Sequence, residues 1–305
     1  MVGSLPASAM LVAVVGDVHG RFFRVEEWVD QLEGAMGEPV ELVLSVGDVE
    51  TFSKADDHRR KAAKRALPAE FAAYASGERA MKRPFIFVGG NNESFEELEP
   101  LAEGGALIPN VEFLGLAGAK TLRGIEVAYL SGIYAPTRYE RPRLSALRPE
   151  HSRQAGYFRA ADVAAVKAVK EADLLLLHEW PRGVAGSDSV VAKVGARGIR
   201  PGHWAMVGNP YAAALVTRLK PQWVLAGHLH VPHATSLHWD DGAITNVCCL
   251  DQAAKPEGGL LWMRWEGRRC AEVGWGVTGE VAWRVGDPWD ERQSAPRIRI
   301  GSWKE

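Results

Sequence analysis

Cysteine is scarce in this chain of 305 residues: Cys248, Cys249 and Cys270 are the whole supply. Two of them are adjacent, a poor disulfide geometry, and no C-x-x-C spacing occurs, so the chain reads as one of a reducing compartment, the cytoplasm, with its thiols packed in a core. Long apolar runs are also missing. Leu11–Val15 is too short to span a membrane and lacks the basic flank of a signal peptide, so it reads as a strand. Neither sign of charge dominates: the formal net charge is −2, which excludes a uniformly basic nucleic-acid binder and confines any basic surface to local patches. No repeat of 20 to 50 residues is visible. What remains is a globular composition, 47% apolar and 24% charged, on a length that can bury a large core as one α/β domain or as a domain with an appendage.

The pattern begins at Met10, after nine residues without periodicity. A strand at Leu11–Val15 leads into the turn Gly16–Gly20. A helix follows, because Val25, Trp28, Val29, Leu32 and Met36 recur at helical spacing, and Gly37 is placed to cap it. Apolar runs at Leu42–Val46 and Phe85–Val88 each lead into a polar loop. After Gly115 strands dominate: Ile125–Leu130, Asp173–Leu177, Trp223–Ala226, Ala234–Trp239, Ala243–Leu250 and Leu260–Trp265, with a helix expected over Ala161–Glu171. Short buried strands ending in polar loops and separated by helices predict an α/β layered fold whose ligands gather at strand C-terminal ends. The domain is expected over residues 10–276, with 277–305 a polar extension to which no fold is assigned. Trp262, Trp265 and Trp275 are expected to pack in the core or at sheet edges.

Five loops carry the chemistry: Gly16-Asp17-Val18-His19-Gly20, Gly47-Asp48, Gly90-Asn91-Asn92-Glu93, His178-Glu179-Trp180-Pro181 and Gly227-His228-Leu229-His230. Each follows an apolar strand. Asp, His and Asn supply the mixed oxygen and nitrogen donors that suit Mn²⁺, Fe²⁺ or Zn²⁺ rather than a calcium cage. Seven such residues are too many for one tetrahedral ion, and two ions sharing one carboxylate fit better. Glycine beside each ligand lets the chain turn tightly and bring backbone close to a metal. The alternation in Asp17-x-His19 and His228-x-His230 puts both side chains of each pair on one side of an extended strand end. Any one of these motifs is commonplace; all five in this order, each after a strand, indicate a metal site.

This ordered set resembles the calcineurin-like metallophosphoesterase superfamily. The resemblance implies a two-sheet α/β sandwich with flanking helices and hydrolysis of phosphate esters by a hydroxide bound to two divalent ions. It places Asp17, His19, Asp48 and His230 on one ion and Asp48, Asn91, His178 and His228 on the other, with Asp48 bridging. Further stretches are similar to the RNA lariat debranching family: Tyr74–Glu78, Phe87–Asn91, Asn110–Gly118, Leu130–Tyr134, His178–Arg182, Leu219–Val231 and Leu250-Asp251, together covering about residues 11 to 265. That family cleaves the 2′,5′-phosphodiester of excised intron lariats, so the implied substrate is a branched RNA.

Local charge agrees. Lys54–Arg65 holds six Lys or Arg against two Asp, and Thr137–Arg159 holds six Arg against two Glu, interleaved with Tyr139, Tyr157 and Phe158. Cations neutralise backbone phosphates and aromatics stack on splayed bases. The second patch lies where the debranching family carries its lariat-recognition segment, which nominates Arg138 and Tyr139 as substrate contacts; a solvated charged face is the alternative for either patch.

Two departures from that family stand out. Asp17 replaces a cysteine of the first debranching motif and restores the general superfamily pattern, favouring harder cations at both positions. Asn92 stands where the debranching family has a histidine near the leaving oxygen, and an amide cannot deliver a proton. Glu93, Glu179 or a metal-bound water are the replacement donors. The expectation is a working phosphodiesterase with Asp48 and Asn92 at the reacting centre. A small-nucleotide phosphodiesterase or phosphomonoesterase and a nucleic-acid-binding protein with impaired catalysis stand as alternatives, and protein partners are unspecified.

Overall fold

The computed structural model of the chain describes residues 9–54, 70–148, 152–185 and 207–285. The basic stretch Lys54–Arg65 lies outside these apart from Lys54, as do residues 1–8 and 286–305.

The apolar runs become strands, and period-two alternation decides what each covers. In β1 (Met10–Val15) all six residues are buried. Val12 and Val14 face an inter-sheet core, while Leu11, Ala13 and Val15 pack on the other side beneath α1 (Phe22–Met36). A strand covered on both faces reads as a continuous apolar run, which is why β1 was visible as one. β2 (Val40–Ser45) and β3 (Phe85–Phe87) follow in parallel, and β4 (Gly105–Ile108) pairs antiparallel with β5 (Val111–Phe113). Between β3 and β4 lies the short α2 (Phe95–Leu98).

The second sheet takes β6 (Ala117–Leu122), β7 (Ile125–Leu130), β8 (Leu174–Leu177), β9 (Trp223–Ala226), β10 (His233–His238) and β11 (Ile244–Cys249) in the order β10-β11-β9-β8-β7-β6. The chain then returns to the first sheet through β12 (Leu260–Glu266), antiparallel to β1, then β13 (Arg269–Trp275) and the short edge strand β14 (Trp283–Arg284), giving the order β14-β13-β12-β1-β2-β3-β5-β4. The sheets pack face to face through Val12, Leu44, Val127, Leu176, Leu225 and Met263 among others. On the outer face of the second sheet lie α3 (Ala160–Lys167) and α4 (Pro210–Leu219). The result is the expected two-sheet sandwich with flanking helices.

Trp262 and Trp265 are fully buried and Trp275 packs at the margin, as their apolar surroundings predicted. Gly37 does cap α1, in the left-handed region with its N–H donating to the Glu33 carbonyl. The helix expected over Ala161–Glu171 is shorter. Beyond Lys167 the Val169 N–H turns back to the Val166 carbonyl, and the chain swings round so that Asp173 N can bond Glu126 O at 2.8 Å and open β8. Residues past 276 carry β14, whose Trp283 ring meets Trp223 edge-on at 5.1 Å between centroids.

Fully burying one Leu or Val contributes about 1.5–3 kcal/mol, against roughly 1 kcal/mol for a typical loop hydrogen bond. The parallel strands β1, β2, β3, β8 and β9 therefore fix where their C-terminal loops begin. All of these ends open on one edge of the sandwich.

Candidate metal centre

Asp17 and His19 follow β1, Asp48 follows β2, Asn91 and Asn92 follow β3, His178 follows β8, and His228 and His230 follow β9. The structure brings all of these loops together. Oxygen and nitrogen atoms of Asp17, His19, Asp48 and His230 lie within 4.8 Å of one another, a set that could hold a metal ion. Within it, His230 Nε2 is 2.8 Å from Asp17 Oδ2 and 3.1 Å from His19 Nε2. Beside it, His178 Nε2 is 3.3 Å from Asn91 Oδ1 and 3.4 Å from Asp48 Oδ1, with the His228 ring 5.1 Å from the His178 ring. Asp48 lies between the two groups, its Oδ2 4.0 Å from His19 Nε2.

The imidazoles are oriented from behind. His178 Nδ1 is 2.8 Å from the Val46 carbonyl, which can only accept, so Nδ1 carries the proton and Nε2 presents its lone pair to the centre. His19 Nδ1 meets Glu50 Oε1 at 2.7 Å with the same consequence for its Nε2. Such outer partners are what metal-ligating histidines characteristically have. On the carboxylate side, the His228 N–H donates to both oxygens of Asp17 at 3.0 and 3.1 Å. The donors are thus mixed nitrogen and oxygen with lone pairs converging, and they fit divalent transition-metal ions.

Glycine is required where the loops crowd. A Cβ at Gly90 would sit 2.1 Å from Asp48 Oδ1, and one at Gly227 2.2 Å from Asp17 Oδ1. Four of the ligand candidates themselves take left-handed backbone: His19, Asp48, His228 and His230, with φ between 47° and 68°.

Burial opposes ionisation of Asp17, yet the hydrogen bond with His230 and the neighbouring imidazoles hold its carboxyl at about 2. Burial, reinforced by His178, draws the His228 imidazole down to about 4, leaving it neutral and able to ligate at pH 7. His19 moves the other way: burial lowers its pKa, but Glu50 and the charges of Asp48 and Asp17 outweigh that and raise it. The field that favours a proton there also favours a cation.

The two asparagines separate in role. Asn91 offers its carbonyl to the centre. Asn92 grips Asp48 instead, its backbone N–H reaching Oδ1 and its side-chain amide reaching Oδ2, both at 2.7 Å. Glu93 is a brace: buried, its Oε1 accepts from Val49 and Gly90 N–H and its Oε2 from Glu50 N–H, tying the Asp48 loop to the Asn91 loop. Burial and the Asp48 charge push its carboxyl well above the ordinary range, and those three N–H donors pull it back. Glu179 is raised to about 6 by burial, against hydrogen bonds to its Oε2 from Tyr134 N–H and Asn209 Nδ2. Glu50 was not singled out in the sequence; its signal was an acid two residues after Asp48, where Asp17 has its histidine.

The arginine-bearing segment divides. Arg143 pairs with Asp162 and donates to the Ala155 carbonyl at 3.1 Å. Arg159 is buried and donates to the carbonyls of Tyr157 and Gln154. Both hold the segment together. Arg138 is half-buried, and the Tyr139 ring is buried, stacked on Tyr211 with centroids 3.9 Å apart.

The Calcineurin-like phosphoesterase family profile matches residues 10–232. The Lariat debranching enzyme of Danio rerio is 32% identical over 232 residues, covering 74% of this chain and 41% of that protein. Its counterpart in Homo sapiens is 31% identical over 232 residues, covering 74% of this chain and 43% of that protein. The chain thus spans less than half the length of these relatives. One solved crystal structure superimposes with a TM-score of 0.51 at 14% identity over 88% of this chain and 99% of that one, a likeness of fold alone. No helix among the described residues is long and apolar enough to cross a membrane.

Proposed function

The chain belongs to the calcineurin-like phosphoesterase family, a class of metal-dependent phosphoric ester hydrolases, and from that premise we propose that it is a two-metal phosphodiesterase acting on branched, 2′,5′-linked RNA. The observation that carries the two-metal reading is the position of Asp48 between His19 and His178. In this reading Asp17, His19, Asp48 and His230 hold one ion, and Asp48, Asn91, His178 and His228 the other. Bound manganese, iron or zinc ions supply Lewis-acid activation of water and of the phosphate and offset the charge that develops in an in-line displacement.

The chain's own residues do the rest. Glu50 and the Val46 carbonyl keep His19 and His178 in the tautomer whose Nε2 turns its lone pair to the centre. Asn92 holds the shared carboxylate of Asp48 by two hydrogen bonds and so acts by positioning it. An amide cannot protonate a leaving alkoxide. The Glu93 oxygens are already occupied by three backbone donors. The leaving oxygen is left to take its proton from water or from Glu179, whose carboxyl burial raises to about 6. Arg138, with Tyr139 stiffened against Tyr211, meets the phosphates of the substrate.

The similarity to proteins named lariat debranching enzymes supports the choice of a branched RNA. The buried thiols suit a reducing, cytoplasmic setting. The deciding experiment is turnover of a synthetic 2′,5′-branched RNA with Mn²⁺, Fe²⁺ or Zn²⁺, beside p-nitrophenyl phosphate, with Asp48→Ala as control. Cleavage at the branch that Asp48→Ala abolishes is the expected result. Faster turnover of the monoester, or branched-RNA binding without any cleavage, overturns the proposal.

A further inference from the structure

Behind the Gly89-Gly90 turn lies a cavity of about 190 Å³, and none of the metal-ligand candidates lines it. Its walls are mainly apolar, with the rings of Phe95 and Phe113 beside Leu98 and Leu116. Leu144 and Ser145, both exposed, line its open side. An apolar cavity of about 150 Å³ stays dry and takes up a guest the size of benzene. This one can therefore take a small ring system, while drug-sized pockets run to about 300–1,000 Å³.

The polar groups around the cavity narrow the guest further. Ser131 Oγ accepts from Gly89 N–H and donates to the Gly115 carbonyl. Arg143 is tied to Asp162 and to the Ala155 carbonyl. Glu99 gives its Oε2 to Ser145 Oγ and to the Ala146 and Leu147 N–H groups, and among the described residues its Oε1 accepts no hydrogen bond. Apolar walls with one uncommitted carboxylate oxygen suit a flat heteroaromatic ring that carries an N–H, and they disfavour an anion.

The cavity and the metal centre share structure without sharing space. Gly90 lines the cavity, and a Cβ added to it would strike the Asp48 carboxylate on the other side. Phe95 also lines the cavity. A Cβ added at Gly156 would meet the Phe95 ring at 2.9 Å and the Asn91 Cα at 3.0 Å, so that ring and the ligand loop pack on the same spot. The segment from Gly90 to Phe95 is thus cavity wall at both ends and ligand loop between them. An empty cavity deprives its lining of contacts. A guest restores them and stiffens the segment, and a loop already ordered loses less freedom when a metal ion binds.

We infer that this cavity is an effector site for a small heteroaromatic molecule with a ring N–H, whose binding tightens metal binding through Gly90 and Asn91. The inference goes beyond the phosphodiesterase reading and involves no substrate, since the guest does not touch the reacting centre.

Indole is the probe. Calorimetric titration of the full chain should show saturable binding at one site, about 10-fold stronger than that of N-methylindole, which has lost the N–H that meets a charged acceptor. Saturating indole should tighten Mn²⁺ binding about 5-fold, and Mn²⁺ should tighten indole binding by the same factor. In the metal-free chain, amide hydrogen exchange over residues 89–95 should slow when indole binds. Ala102→Phe, which fills the cavity from a lining position, should abolish indole binding, and Leu144→Trp, at the exposed mouth where folding is not at risk, should weaken it. The inference fails if indole does not bind, if neither variant alters its binding, if N-methylindole binds equally well, or if Mn²⁺ affinity and amide exchange stay unchanged. None of these readouts uses hydrolysis, so loss of the phosphodiesterase reading would leave this one to be decided separately.

Discussion

On the floor of the cleft, each polar side chain stands at the end of a buried strand and is held by neighbouring loops. The His19 N–H donates to the Asp48 carbonyl at 2.8 Å, and the Gly227 N–H to the His178 carbonyl at 2.8 Å. On the rim, residues 137–148 and 152–159 run outside both sheets, and chemically identical residues take opposite assignments. Arg159 is buried against carbonyls whereas Arg138 keeps partial exposure. Where a strand fixes the backbone, residue type and spacing are enough to assign a role. Where the chain lies outside the sheets and is fixed by turns and side chains, the same residue type can be either the fastening or the tool.

That contrast can be broken from either side. The largest effect is expected on the floor: Asp48→Ala removes the carboxylate shared by both groups and should lower turnover by more than about 10³-fold, read as initial rates on the branched substrate. If the rate survives, the two groups are independent. Next, Glu50→Gln leaves the ligands in place but loosens His19, and should weaken metal affinity by about 10–100-fold, measured by calorimetric metal titration. Asn92→Ala should cost about 10-fold or less in kcat, because the amide positions Asp48 without transferring a proton. A loss as large as that of Asp48→Ala would show that it does more.

The smallest effects sharpen the rim. Arg138→Ala should raise KM for branched RNA several-fold and reduce the salt slope by about one phosphate contact, with the melting temperature unmoved. Arg159→Ala should do the reverse. Unpaired buried carbonyls cost about 1–3 kcal/mol, which lowers the melting temperature by several degrees in a domain of this size. Matching melting curves for the two variants would erase the distinction.

The sandwich was legible because strands such as β1 and β8 are buried on both faces and so appear as unbroken apolar runs. The metal-ligand candidates were legible because each follows such a run directly. The end of α3 was not, since Val169 continues the helical spacing and only the need to open β8 turns the chain. Glu50 and the brace at Glu93 also escaped assignment. Glu50 meets an imidazole from another loop, and two of the three N–H donors to Glu93 come from the Asp48 loop, which no local pattern records. The split among the arginines was hidden for the same reason: Asp162 and the carbonyls that claim Arg143 and Arg159 become neighbours only through the path of the folded segment.

The left-handed backbone at His19, Asp48, His228 and His230 has a consequence for how this protein can change. Non-glycine residues there carry a conformational cost of order 1–3 kcal/mol each, concentrated in the positions the chemistry requires. Glycine would relieve that cost and remove the ligand in the same step. Selection for thermal robustness alone would therefore press on these four positions first, and a lineage released from its substrate would be expected to lose its metal centre while its sandwich grew more stable.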